Sequence, residues 1–170
     1  MMRFLALALV GLLSLPAAAS VKESEPQFKT IEAKHFTRAE GVELSPQFTD
    51  YLYAELRSEL AKTKMFAQVI GEGEAVEDAD AARSLVIEGM ITEYKSGNVA
   101  KAVIIGFGAG MRSMKINATV KRRSDQVNLA SVNVHIKISP RWREEIMAKA
   151  AAHDIAGEVK KALKQLAKNP

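Results

Sequence analysis

From Met114 to Ile138 the chain alternates almost without error, and few patterns restrict a fold as tightly. Met114, Ile116, Ala118 and Val120 take every second position, with Lys115, Asn117, Thr119 and Lys121 between them. After Ser124-Asp125-Gln126, the residues Val132, Val134, Ile136 and Ile138 repeat the pattern against Asn133, His135 and Lys137. Successive side chains of a strand point to opposite faces, so the pattern predicts an antiparallel hairpin with one dry and one wet face. A sheet that is dry on one side needs a cover, and the rest of the chain supplies it.

Two segments have the helical period. Ser45-Pro46 reads as an N-cap serine with proline at the first helical position. Phe48, Leu52, Leu56 and Leu60 then follow at spacing four, predicting an amphipathic helix that ends near Lys64 to Phe66. Ser139-Pro140 reads as the same capping device for a last helix reaching about Ala167, with Trp142, Ile146, Ile155, Val159, Leu163 and Leu166 as its apolar stripe. Its alanine-rich middle allows close packing. Between the helices lie a short strand at Phe66–Ile70, an acidic loop from Gly71 to Asp80, and a strand from Arg83 to Tyr94. That strand is apolar on both faces, as a central strand would be. Phe28 to Arg38 is a further strand, although its alternation is not clean. The expected fold is α/β (α+β): a single-layer mixed, largely antiparallel sheet with two helices packed on one face.

The N-terminus gives an address. Met1-Met2-Arg3, the apolar run Phe4 to Leu15 and the Ala17-x-Ala19 pattern read as a secretory signal peptide over residues 1–19, with one α/β domain over 20–170. An uncleaved N-terminal anchor is the rival reading, but the run is short of the roughly 20 apolar residues a membrane span needs. Cleavage near Ala19 implies a periplasmic or secreted protein. The chain has no cysteine, which excludes disulfides, thiolate metal sites, cysteine nucleophiles and acylation at a lipobox. The formal charge of +4 becomes +3 once Arg3 leaves with the signal. In an envelope the basic groups at Lys121-Arg122-Arg123, Arg141, Arg143 and Lys160 to Lys168 would meet anionic lipid before nucleic acid, unless they form an ordinary solvated face.

The stretch Gly97 to Gly110 is the most distinctive candidate site. It is apolar apart from Lys101, and it ends in Gly106-Phe-Gly-Ala-Gly110. The spacing is G-x-G-x-G, and a strand follows it, so there is no helix N-terminus to receive a pyrophosphate. An uninterrupted strand here would bury Arg112, so a bend is expected between Gly110 and Ser113. Val103, Ile104, Ile105, Phe107 and Met111 would then either lie beneath the C-terminal helix or form an exposed contact patch. The candidate contact loop is Lys101, Val103, Ile104, Ile105, Gly106, Phe107, Gly108, Gly110 and Met111.

Other chemistry finds little support. The acidic loop lacks the calcium-loop spacing, and His35, His135 and His153 show no H-x-x-x-H relation. No G-x-S-x-G elbow surrounds a serine, and Glu144-Glu145 point apart on a helix. No enzyme, metal or cofactor is expected. Trp142, flanked by Arg141 and Arg143, reads either as an interfacial anchor or as a residue packed on the sheet.

Leu85-Val-Ile-Glu-Gly-Met-Ile-Thr-Glu-Tyr94, the Gly97-Asn98 turn, Lys101, Gly106-Phe-Gly-Ala-Gly110 and the amphipathic strand after them resemble the bacterial envelope family called domain of unknown function 4410. The resemblance implies an exported or lipoprotein-like protein with no particular activity, although this chain lacks the lipobox cysteine. The order of elements is also similar to small α/β modules of envelope assembly proteins, such as the N-terminal part of the Tol system's β-propeller protein. The expected role is a non-enzymatic periplasmic binding or envelope-assembly module. The alternative is a peripheral membrane protein that inserts the loop 103–111. The expected partner is an envelope protein or a membrane surface, not nucleic acid, and a homo-oligomer is compatible with both.

Overall fold

The computed structural model describes residues 28–75, 78–104 and 110–168. The segment read as a signal peptide, residues 1–19, and the polar lead-in after it lie outside them. Among the described residues a mixed sheet has the strand order β3-β1-β4-β5-β6. Here β1 is Phe28–Ala33, β3 Phe66–Ile70, β4 Ser84–Lys95, β5 Arg112–Arg122 and β6 Asn128–Ile138, while the two-residue β2, Thr37–Arg38, also pairs with β4. β1 runs parallel to both β3 and β4, and β4, β5 and β6 are successively antiparallel. The hairpin is as the alternation predicted, and β4 is central as its apolarity on both faces predicted.

The segment from Phe28 to Arg38 is two strands rather than one, and the reason is a change of parity. Ile31 and Ala33 face the core, yet the next buried side chain is Phe36 rather than residue 35. The chain therefore steps out of register at 34–36, held by Lys34 N–H to the Ile87 carbonyl (3.0 Å), and resumes at β2 with Ala39 N–H to Ile91 (2.9 Å). Phe36 fits over Gly89, where an added Cβ would come within 2.4 Å of its ring.

Helix α1, Pro46–Lys62, starts as expected: the Ser45 side chain accepts from the Phe48 N–H at 3.2 Å, with proline in the first turn. It stops at Lys62, a little before the expected end, because Lys64 adopts a left-handed conformation (φ 55°) just beyond the cap. Phe48, Leu52, Leu56 and Leu60 are all buried. Burying each such side chain stabilises the fold by roughly 1.5–3 kcal/mol.

Helix α3 departs from expectation at its start. It spans Glu144–Leu166, and Ser139-Pro140 does not cap it. The dipeptide instead makes the turn out of β6, with Trp142 N–H bonded to the Ser139 carbonyl at 3.1 Å and proline at the second turn position. The cap residue is Arg143, with no side-chain bond, while Glu144 and Glu145 lie in the first turn, where negative charge suits the helix dipole. The stripe is shifted too. Trp142, Ile146 and Leu166 are exposed, and the buried face is Met147, Ala148, Ala151, Ala152, Ile155, Ala156, Val159 and Leu163. Its alanines let α3 lie close against both α1 and β6.

α1 and α3 run side by side over the dry face of the sheet, which carries Ile31, Leu85, Ile87, Ile91, Met114, Ile116, Ala118, Val120, Val132, Val134 and Ile136. Both helices run antiparallel to β4, so the molecule has two ends. One end holds the N-termini of α1 and α3 and the C-terminal end of β4; the other holds their C-termini and the β5–β6 turn. The expected acidic loop is partly ordered as a 3-10 turn, Asp78–Arg83, packed against β1 and β4.

Candidate functional site

The end where the helices begin carries the sequence's candidate stretch. After β4, Ser96 to Asn98 turn the chain into a short helix, α2, at Val99–Ile104, an element the sequence reading did not foresee. The legs of this excursion meet at glycines. Gly97 and Gly110 both have positive φ (76° and 73°), and a Cβ on Gly97 would lie 2.7 Å from the Gly110 carbonyl oxygen. Only glycine adopts such angles without steric cost and permits that approach. Asn98 N–H donates to the Gly110 carbonyl at 2.8 Å, closing the base of the excursion.

The bend expected before Ser113 is present at Gly110, but Arg112 is accommodated differently from the reading that required it to leave the sheet. It opens β5, opposite Ile138, where the dry face runs out. Its guanidinium donates Nε–H to the Ser96 carbonyl (3.1 Å) and Nη1–H to the Trp142 carbonyl (3.0 Å), joining the β4–α2 and β6–α3 connections.

The base of the excursion is thus well fastened, while Val99, Val103 and Ile104 of α2 face water. Val99 is 46% exposed, Val103 62% and Ile104 81%. The reading that placed this stretch beneath the C-terminal helix fails for Val103 and Ile104, because α3 covers β6 and α1 instead. Gly110 and Met111 are half-buried. The side chain of Lys101 and all of Ile105, Gly106, Phe107 and Gly108 lie outside the described residues.

Trp142 is 50% exposed, so it is not packed away on the sheet. It borders an open cleft of about 540 Å³ with Tyr51, Arg112, Arg141, Arg143 and Glu145. Sequence reasoning placed Trp142 on the helix stripe; the signal it missed was the turn-forming sense of Ser139-Pro140. At the rim, the Ser45 hydroxyl donates to the Glu144 carboxylate while accepting from Phe48 N–H, so one side chain ties the starts of both long helices.

Ionisable groups elsewhere are engaged in fastening the fold. Glu32, buried, accepts from Gly73 N–H (3.0 Å) and from Arg123. Glu59, also buried, is held below the usual carboxylate range by Lys62 and then His153. His35 stacks on Tyr53 at 3.8 Å, and its backbone and ring bonds to Glu72 lower that carboxyl. On the wet face Glu93 bridges Lys115 (2.6 Å) and Lys95 (2.8 Å), which hold its pKa at about 2. Among the described residues no group of three or more His, Cys, Asp or Glu could hold a metal ion. No described helix is long and apolar enough to cross a membrane.

No curated protein matches the sequence at a significant level. Solved structures with the same fold include the PelC dodecamer from Paraburkholderia phytofirmans, at 12% identity and a TM-score of 0.55, covering 76% of this chain and 86% of that one. Protein XCC0632 from Xanthomonas campestris is similar at 12% identity and a TM-score of 0.57, over 86% and 93% of the two chains. Hypothetical protein CT253 from Chlamydia trachomatis is similar at 11% identity and a TM-score of 0.52, over 78% and 96%. At these identities the likeness concerns the fold. The sequence itself matches the model of the domain of unknown function DUF4410 over residues 17–138, more than half of the chain, and the protein belongs to that family.

Proposed function

We propose that this protein is an exported, non-enzymatic module of the bacterial envelope that docks a partner protein through the end carrying α2. The observation that supports the reading most is the outward display of Val99, Val103 and Ile104 on an excursion whose base is pinned by Gly97, Asn98, Gly110 and Arg112. Apolar side chains on a fastened protrusion add nothing to a core. Exposed apolar side chains at the end that also carries the half-exposed Trp142, Arg141 and Arg143 give it the composition of an interaction surface. The signal-like N-terminus supports export, and the PelC dodecamer is in keeping with a protein that also associates with itself.

Crosslinking followed by recovery from the envelope tests this. The wild-type chain should bring down a defined partner, and Val103→Asp with Ile104→Asp should lose it while remaining folded. Undiminished recovery by the folded double variant would refute the docking role of α2.

A second reading, insertion of this end into a membrane, draws on the half-exposed Trp142 between Arg141 and Arg143, an arrangement suited to the headgroup region. Co-sedimentation with anionic vesicles at low salt separates the two. Protein that stays in the supernatant rules out the membrane, whereas pelleting abolished by Trp142→Ala rules in its favour.

A further inference from the structure

The sheet has a long open edge. β6 spans 11 residues and pairs only with β5 among the described residues, so one side of its backbone is left without a strand partner. Proteins blunt such edges with short strands, bulges, prolines or several charges, because an open edge templates pairing with another chain. β6 has no proline and a single lysine, Lys137, and its register shift lies at its first residues, opposite Lys121.

A second observation concerns α3. Gly157 sits inside this 23-residue helix, at a cost of about 1 kcal/mol relative to alanine. Among the described residues nothing beyond the helix's own backbone and the adjoining residues lies within 4 Å of where its Cβ would be. No described contact within one copy requires this glycine, whereas a neighbour approaching closely would.

The two features face the same space. A groove of about 390 Å³ is lined by Asn133 and His135 from β6 and by His153, Asp154, Gly157 and Glu158 from α3. Asn133 is the midpoint of β6, and Gly157 lies near the middle of α3. A two-fold axis perpendicular to the sheet at Asn133 would therefore pass the middle of both elements.

We propose that this edge is the interface between two copies of the chain, in which β6 pairs antiparallel with the β6 of a second copy and the two α3 helices meet at Gly157. Antiparallel β6 strands satisfy each other's open backbone groups and extend the dry row of Val132, Val134 and Ile136 into one continuous sheet. The same axis sets the two α3 helices antiparallel. Their flank runs from acidic, Asp154 and Glu158, to basic, Lys161 and Lys164, so the antiparallel arrangement sets Asp154 of one copy against Lys161 of the other. Each copy presents the same patch, as a two-fold interface requires. The Glu158–Lys161 pair within one copy is long (3.6 Å) and solvent-exposed, and it ties up little of this charge. The surface is separate from the α2 end, so variants at Val103 and Ile104 leave it intact.

The absence of cysteine provides a direct reporter. Asn133→Cys, on the exposed face of the edge strand, should form a disulfide-linked dimer under mild oxidation, because two copies of this position come within the 4.4–6.8 Å between Cα atoms that a disulfide spans. Ser124→Cys, in the β5–β6 turn, should remain unlinked. In sedimentation velocity, Gly157→Arg should weaken dimerisation by about tenfold or more while not lowering the thermal midpoint of the monomer, since arginine favours helix over glycine. Asp154→Lys should weaken it as well, and Asp154→Lys with Lys161→Glu should restore it. A protein that stays monomeric at high concentration overturns the proposal. So does an oligomer indifferent to Gly157→Arg and to the charge swap, or linkage at position 124 equal to that at 133.

Discussion

The two ends of the sheet are fastened with equal care and finished in opposite ways. At the end holding the β5–β6 turn, polar side chains do the tying and stay engaged. Glu32 takes Gly73 N–H and Arg123, and Asp125 takes Arg122 and Val127 N–H. At the end holding α2, glycine backbone, Arg112 and the Ser45–Glu144 bond do the tying, and Val99, Val103 and Ile104 are left facing water. The first arrangement is what stability alone produces. The second adds no stability through its exposed side chains, so the contrast separates residues that hold the fold from residues available to a partner.

Substitutions at the two ends should therefore have opposite signatures. The largest expected effect is Arg123→Ala, which strands the buried Glu32 carboxylate with one backbone donor and should cost about 2–4 kcal/mol in urea unfolding. Partner recovery by the folded fraction should be unchanged. Val103→Asp with Ile104→Asp should do the reverse, with partner recovery lost and the urea midpoint within about 0.5 kcal/mol of wild type. A matching stability loss from both ends would erase the distinction.

A smaller effect sharpens the α2 end itself. Ser45→Ala removes a cap and the tie to Glu144, and should lower stability by about 1–2 kcal/mol. Ser139→Ala, in the other Ser-Pro pair, should cost no more than about 0.5 kcal/mol, because among the described residues its hydroxyl receives only Arg141 N–H, at 3.4 Å. Thermal unfolding of the two variants compares them directly; equal losses would mean that Ser139 acts as a cap after all.

The smallest effect belongs to the sheet's wet face. Glu93, ordinarily near 4.5, is held at about 2 by Lys115 and Lys95. A carboxyl lower in the folded than in the unfolded chain stabilises fully above about pH 4.5, and that contribution fades as pH falls toward 2. Between pH 5 and pH 2 the urea midpoint of Glu93→Gln should accordingly fall less steeply than that of the wild type. Parallel curves would show that the bridge carries no net stability.

Local pattern revealed the elements whose burial follows a single period. The alternation from Met114 to Ile138 gave the hairpin, the spacing of Phe48, Leu52, Leu56 and Leu60 gave α1, and the two-faced apolarity of β4 gave its central place. The failures occurred where tertiary contacts overrule local pattern. Ser45-Pro46 and Ser139-Pro140 look alike, but the second must first turn the chain out of β6, so it serves a turn and not a cap. The six residues of α2 include Val99, Val103 and Ile104, whose branched side chains favour strand, and their helix depends on the pinned base. Arg112 looked too polar for the sheet until two carbonyls, at Ser96 and Trp142, took its donors. The open edge of β6 was invisible to periodicity, which gives the faces of a strand but not its neighbours.

The central claim is that exposed apolar side chains at the α2 end mark a docking surface, and that exposure alone does not. Val127 supplies the control, being 48% exposed at the opposite end. A photocrosslinking side chain placed at position 104, and separately at 127, in cells carrying the full-length chain should give a discrete partner adduct only at 104. Adducts of equal yield at both positions, or at 127 alone, would contradict the account.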